Sequence, residues 1–164
     1  MERLWAPWRM EFIAGDKPDG CFLCDAVAAG GGSDRENLVL ERGAHAFVIM
    51  NRYPYNNGHI LISPNRHGGE FCEMTPDESA EVMALARKWQ RIIREVMNAE
   101  GFNVGMNLGQ CAGAGVADHL HLHVVPRWTG DTNFMPVVAD AHVVPQALAE
   151  LYDALRARSE SGEA

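Results

Sequence analysis

Between Thr75 and Asn98, apolar residues recur at helical spacing: Val82, Leu85, Ala86, Trp89, Ile92, Ile93 and Val96 share one face. Thr75 can cap that helix, Pro76 suits its first position, Glu78 completes a capping box, and Gly101 offers a stop. Elsewhere the apolar runs are short and bounded by turn residues, which predicts strands. These are Leu38–Glu41, Ala46–Met50 and His59–Ser63, with a loop over 51–58 and Pro64 ending the third strand. Phe102–Leu108 and His119–Pro126 follow as two more, joined by a Gly/Ala-rich loop. Residues 26–34 read as a small Gly-rich surface loop or helix end, and Pro145–Arg158 as a closing amphipathic helix. Residues 1–20 read as an irregular segment and 159–164 as a frayed tail. Strands joined by short turns, with one long helix before the last two, predict an α+β fold on an antiparallel sheet. One domain over residues 1–164 accommodates it.

Composition narrows the partners. The 164 residues carry 47% apolar and 22% charged side chains, ordinary for a soluble protein. A formal net charge of -8 leaves no basic stripe for coating nucleic acid, yet a small phosphate ester needs only a few placed donors. No apolar run approaches the roughly 20 residues that span a bilayer, and the tryptophan-bearing start lacks a signal-peptide core. Cysteine is too sparse for a secreted disulfide framework, so a cytoplasmic protein with reduced thiols is expected. Cys21 and Cys24, at C-x-x-C spacing, suit half of a tetrahedral metal site. A redox pair, or two thiols buried as small hydrophobes, are the competing readings.

The run His119-Leu120-His121-Leu122-His123-Val124-Val125 holds the densest chemistry. On a strand the histidines share one face and the leucines the other, so the leucines pack on the long helix. Three imidazoles are costly to bury unpaired, which points to a functional site over a merely solvated face. One metal held by all three is disfavoured, because alternate strand residues stand about 6.6 Å apart and the outer pair about 13 Å. Two of them can share an ion. Histidine also suits phosphoryl transfer, since its ordinary pKa of about 6.5 leaves a neutral, nucleophilic nitrogen available. Ahead of this strand, Gly109–Gly115 offers backbone that an anion can approach closely, or else a plain flexible connection.

This run matches the pattern His-φ-His-φ-His-φ-φ at every position, and the chain resembles the histidine-triad (HIT) family from about Cys21 to Arg127. The resemblance includes Gly58-His59-Ile60-Leu61-Ile62-Ser63-Pro64. It implies an antiparallel half-barrel that pairs into a homodimer, with His121 forming a covalent nucleotidyl intermediate. It further implies that Asn51 faces the ribose, that Asn107 contacts phosphate or ribose, and that His59 supports the triad. Gly113 and Gly115 would line the phosphate. Some members of the family complete a zinc site with residues matching His67 and His119, which implies a structural zinc on Cys21, Cys24, His67 and His119. His123 is then left to orient the phosphate or to give a proton to the leaving group.

The family's common Gln-Ser pair before the triad is absent here. Leu4–Met10, the 51–56 loop and Pro126-Arg127-Trp128 instead resemble the bacterial diadenosine-tetraphosphate phosphorylase/hydrolase branch. The resemblance implies cleavage of dinucleoside polyphosphates or related nucleotidyl esters, with water or phosphate as acceptor. Arg127 and Trp128 would serve distal phosphates or a base, or pack the rim. Two other classes stay open: a metal-dependent enzyme using two histidines of the strand, and a non-catalytic nucleotide-binding regulator.

Overall fold

A computed structural model describes residues 20–131 and 147–162. The predicted opening segment up to residue 19, with Leu4–Met10, lies outside the described residues, as do Pro145 and the last two residues. In chain order the elements are α1 (Phe22–Ala29), α2 (Asp34–Asn37), β1 (Val39–Arg42), β2 (Ala46–Met50) and β3 (Ile60–Pro64). Then come α3 (Pro76–Met97), β4 (Gly101–Met106), β5 (Leu122–Arg127) and α4 (Leu148–Ser161). The strands form one open antiparallel sheet in the order β1-β2-β3-β5-β4. The expected α+β class holds. Among the described residues, no helix is long and apolar enough to cross a membrane.

Helix α3 forms as its sequence predicts. The Thr75 hydroxyl accepts from the Glu78 amide and the Glu78 carboxylate accepts from the Thr75 amide, closing the capping box. Its apolar face lies across β2, β3 and β5, with Trp89 and Ile93 fully buried. The Trp89 indole donates to the Glu41 carboxylate at 2.6 Å, so the one polar atom of that ring has its partner. Helix α4 seals the β1 edge through Leu151 and Leu155, and its Tyr152 hydroxyl donates to the Val39 carbonyl at 2.9 Å.

Beyond shifts of one or two residues at strand ends, the structure differs from the sequence reading at four places. Asn98, in the left-handed conformation at φ 51, ends α3, and Gly101 instead opens β4. The closing helix extends three residues past its predicted end, to Ser161. Around the C-x-x-C pair a helix was not foreseen: Cys21 is its N-cap position and Cys24 lies in its first turn. Arg42 secures its far end from 12 to 16 residues away, donating to the Ala26 and Val27 carbonyls of the last turn and to the Gly30 carbonyl just beyond it. Local pattern could not show a cap supplied from β1.

The fourth difference matters most. The last strand begins at Leu122, so His119, Leu120 and His121 stand before the ladder. Ile62 pairs with Leu122, and extending that register brings Leu120 opposite Pro64, which has no N–H to give. One side chain and one loop carbonyl replace the missing rung: the Ser63 hydroxyl donates to the Leu120 carbonyl at 2.8 Å, and the Leu120 amide donates to the Gly68 carbonyl at 2.8 Å. Gly69 permits this closeness, because a Cβ there would collide with the Ala117 carbonyl.

Candidate functional site

Leu120, Leu122 and Val124 are buried as the alternation predicts, and two of the three histidines are closed off from water as well. His119 is fully buried and His121 is 7% exposed, so each imidazole needs internal partners. They find different ones.

His119 turns toward the α1 end of the molecule. Its Nε2–H donates to the Pro64 carbonyl at 2.9 Å, which leaves Nδ1 carrying a lone pair. That Nδ1 stands 3.3 Å from the Cys21 sulfur and 3.4 Å from the Cys24 sulfur. His67 Nδ1 lies 3.2 Å from the Cys24 sulfur, and all four donor atoms fall within 4.8 Å of one another. Donors bound at about 2.0–2.3 Å in a tetrahedron stand about 3.5 Å apart, so the four fit a zinc ion. The donor chemistry agrees. Partial burial, and then the neighbouring Cys21, push the Cys24 thiol above its ordinary value, a penalty that a shared cation reverses. Behind the cluster, Arg66 clamps the Glu78 carboxylate through two nitrogens at 3.0 and 3.1 Å, tying the His67 loop to the start of α3. Sequence reading missed this tie; the capping-box glutamate next to a helix start was its only trace.

His121 faces the other way. Its Nδ1–H donates to the His119 carbonyl at 2.8 Å, so the lone pair sits on Nε2. Burial lowers its pKa from the ordinary value, keeping that lone pair available at neutral pH, although the carbonyl bond works in the opposite direction. The His123 ring meets it edge-on at 5.0 Å. His123 Nδ1 lies 2.9 Å from His59 Nε2, and Tyr55 stacks on both rings at 4.8 Å from His59 and 5.6 Å from His123. Tyr55, which the sequence offered only as part of a loop, is thus a wall of the site. Asn51 accepts from the Tyr53 amide at 2.9 Å and places its amide nitrogen 3.2 Å from His59 Nδ1. In this state its side chain serves the turn and His59 together.

The remaining residues divide. Asn107 donates to the Gly113 carbonyl at 3.4 Å, folding the loop between β4 and β5 on itself. Gly113 adopts φ 85 and gives its amide to Gln110, while Ala112 and Ala114 give theirs to Gly109. Those three amides serve the loop's own turn, and Gly115 lies half-buried just beyond it. Arg127 is held by the Asp131 carboxylate and by Asn103 Oδ1, and the Trp128 indole donates to the carbonyls of Met97 and Asn98. Both side chains are thus held by partners of their own in this structure. Of the histidine strand only His119 joins the donor cluster, which leaves the two-histidine metal reading without a site among the described residues.

Comparison with known proteins agrees with this geometry. The HIT domain family model matches residues 34–130, more than half of the chain. An AP-4-A phosphorylase of Mycobacterium tuberculosis is 42% identical over 154 residues, covering 90% of this chain and 79% of that protein. The asymmetrical bis(5'-nucleosyl)-tetraphosphatase of Schizosaccharomyces pombe is 36% identical over 93 residues, covering 57% of this chain and 50% of that enzyme. A zinc-bound histidine triad family protein from Mycobacterium smegmatis shares the fold, with a TM-score of 0.68 at 24% identity; the match covers 87% of this chain and 94% of that one. The chain belongs to the histidine-triad (HIT) family.

Proposed function

We propose that this chain is a HIT-type nucleotidyl-transferring enzyme that cleaves dinucleoside polyphosphates of the diadenosine-tetraphosphate kind, with His121 as nucleophile and inorganic phosphate as acceptor. The observation that carries the reading is the His121 ring, whose Nδ1–H is spent on the His119 carbonyl so that Nε2 keeps its lone pair. That lone pair forms a P–N bond to the substrate's α-phosphorus while the P–O bond to the rest of the polyphosphate breaks. The bonding electrons leave on oxygen. The acceptor then attacks phosphorus, and the P–N electrons return to Nε2. Phosphate is preferred over water because the 42%-identical relative is named a phosphorylase.

In this reading Cys21, Cys24, His67 and His119 hold a zinc ion that fixes the segment before β5. Four protein donors close its coordination, so the metal is structural. Thiolate ligands need a reducing compartment, which agrees with a cytoplasmic enzyme. Asn51, Asn107, Gly113 and Gly115 are assigned to the nucleotide, with Asn51 exchanging its turn bond for a ribose hydroxyl. The β4 edge carries Val104, 51% exposed, with Leu108, 47% exposed, just beyond its end, and supports pairing with a second copy into a homodimer.

Incubation with diadenosine tetraphosphate, with and without inorganic phosphate, tests the reading. ADP plus ATP formed only with phosphate is the expected result. AMP plus ATP formed without it moves the assignment to a hydrolase, and no product from any dinucleotide overturns it.

A further inference from the structure

His59 is buried beside His123, and its hydrogen bonds have a direction. The Tyr55 backbone amide, which can only donate, points at His59 Nδ1 at 3.1 Å. The Asn51 oxygen is occupied by the Tyr53 amide, so the group facing His59 Nδ1 is the Asn51 NH2, a second donor. Two donors on one nitrogen require a lone pair there. The single proton of neutral His59 therefore sits on Nε2 and is given to His123 Nδ1 at 2.9 Å. His123 must accept at Nδ1, which places its own proton on Nε2. A second proton on His123 would set two N–H groups against each other across that 2.9 Å contact.

We propose that Tyr55 and Asn51 fix His59, and that His59 in turn fixes His123, in a one-way relay that keeps His123 neutral with its proton on Nε2. His123 then serves the transferring phosphate as a hydrogen-bond donor and neither gives up nor takes a proton. His59 is a positioning residue. The inference rests on the proposed nucleotidyl transfer and replaces the expectation that His123 protonates the leaving group. The reaction balances without that proton: the departing group is a polyphosphate whose last ionisation lies near pH 6, so it leaves as the anion. The surroundings agree. Burial first, then the adjacent His123 and His121, hold the His59 pKa down at about 3, so it stays neutral across the working range. Among the described residues, the rings packed against His123 are those of His59, His121 and Tyr55.

Histidine-selective 15N labelling of the whole protein, followed by two-bond 1H–15N correlation from about pH 5 to pH 9, reads each nitrogen directly and needs no substrate. In the wild type, His59 and His123 should both show protonated Nε2, bare Nδ1 and no titration. In His59→Phe, which keeps a ring against Tyr55 but gives no proton, His123 should titrate near its ordinary pKa of about 6.5. With diadenosine tetraphosphate, that variant should lose on the order of a hundredfold in kcat with little change in KM, and its acid limb should move up toward pH 6.5. His59→Gln offers an amide N–H to His123 and should recover about tenfold of that loss; it also serves as the test should the Phe variant not fold.

A protonated Nδ1 on His123 in the wild type, or titration of His123 between pH 5 and pH 8, overturns the relay. So does His59→Phe with His123 still untitrated. The two readings fail separately. Expected tautomers with no nucleotide trapped on His121 sink the proposed reaction alone. A trapped nucleotide with a titrating His123 sinks the relay alone.

Discussion

The two ends of the histidine run are built from the same residue and do opposite things. At the early end, His119 spends Nε2 on the Pro64 carbonyl and shows Nδ1 to two sulfurs. One turn of the pattern later, His121 spends Nδ1 on the His119 carbonyl and keeps Nε2. At the late end His123 receives a hydrogen bond from another imidazole. The partner of the idle nitrogen decides what the working nitrogen is: a metal ligand, a nucleophile or a fixed donor. Residue type sets what chemistry is available, and the second hydrogen bond selects among the possibilities.

The largest effect should come from the reaction end. His121→Ala should cut turnover of diadenosine tetraphosphate by about 10⁴-fold or more, since a missing nucleophile leaves only binding and electrostatics. Nucleotide affinity, read by calorimetry, should stay within a few-fold, and so should zinc content. An Ala variant keeping a tenth of wild-type turnover would move the nucleophile elsewhere.

The metal end should respond in stability instead. Cys24→Ser removes one donor of the four and should lower zinc content and melting temperature together, by about 10 °C for a loss of 3–5 kcal/mol. Chelation of the wild type should do the same. Full zinc content in the Cys24→Ser variant breaks the comparison, because Cys24 would then be no ligand and the four-donor site would not be what holds the metal.

Much of this division was legible in the sequence, and the reasons are local. Thr75, Pro76 and Glu78 sit within four residues of one another, so the helix start could be read directly, and the alternation around His121 named the buried leucines. What escaped depends on distant partners. Helix α1 is capped by Arg42 from another element, and Tyr55 reaches the histidines only because its loop folds back over β3. The missing rung at Pro64 could have been suspected from proline's lack of an N–H. Its consequence for His119 needed the register between β3 and β5. The Asn107–Gly113 loop bonds to itself, its amides and the Asn107 side chain serving its own turn, a closure that its Gly/Ala composition did not reveal.

Acid should test the reaction end as a folded unit. Burial holds His59 at about 3 and His121 below its ordinary value. Above about pH 6.5 both folded and unfolded chains keep these rings neutral, so the stability is fully present. As pH falls below that value the unfolded chain takes up protons that the folded one refuses, and stability is lost down toward about pH 3. His59 alone should account for roughly 3 kcal/mol by about pH 4. Melting curves across that range should show the loss, and His59→Gln should flatten it. An unchanged slope in the Gln variant would mean that His59 is charged in the fold.

The smallest expected effect lies between the two ends and separates them most finely. Ser63 is fully buried, and its hydroxyl replaces the rung that Pro64 cannot supply to Leu120. Ser63→Ala leaves a buried carbonyl without that donor and should cost about 1–2 kcal/mol by denaturant unfolding. Leu120 lies between the ligand His119 and the nucleophile His121, so a loosened segment should be felt on both sides. Zinc affinity and kcat should each fall by a few-fold, in step. If zinc affinity falls while kcat holds, the His121 ring is positioned by β5 and the His123 contact rather than by the segment before it. If kcat falls while zinc affinity holds, the four donors alone fix His119. Only a joint fall supports one mechanical unit carrying two chemistries.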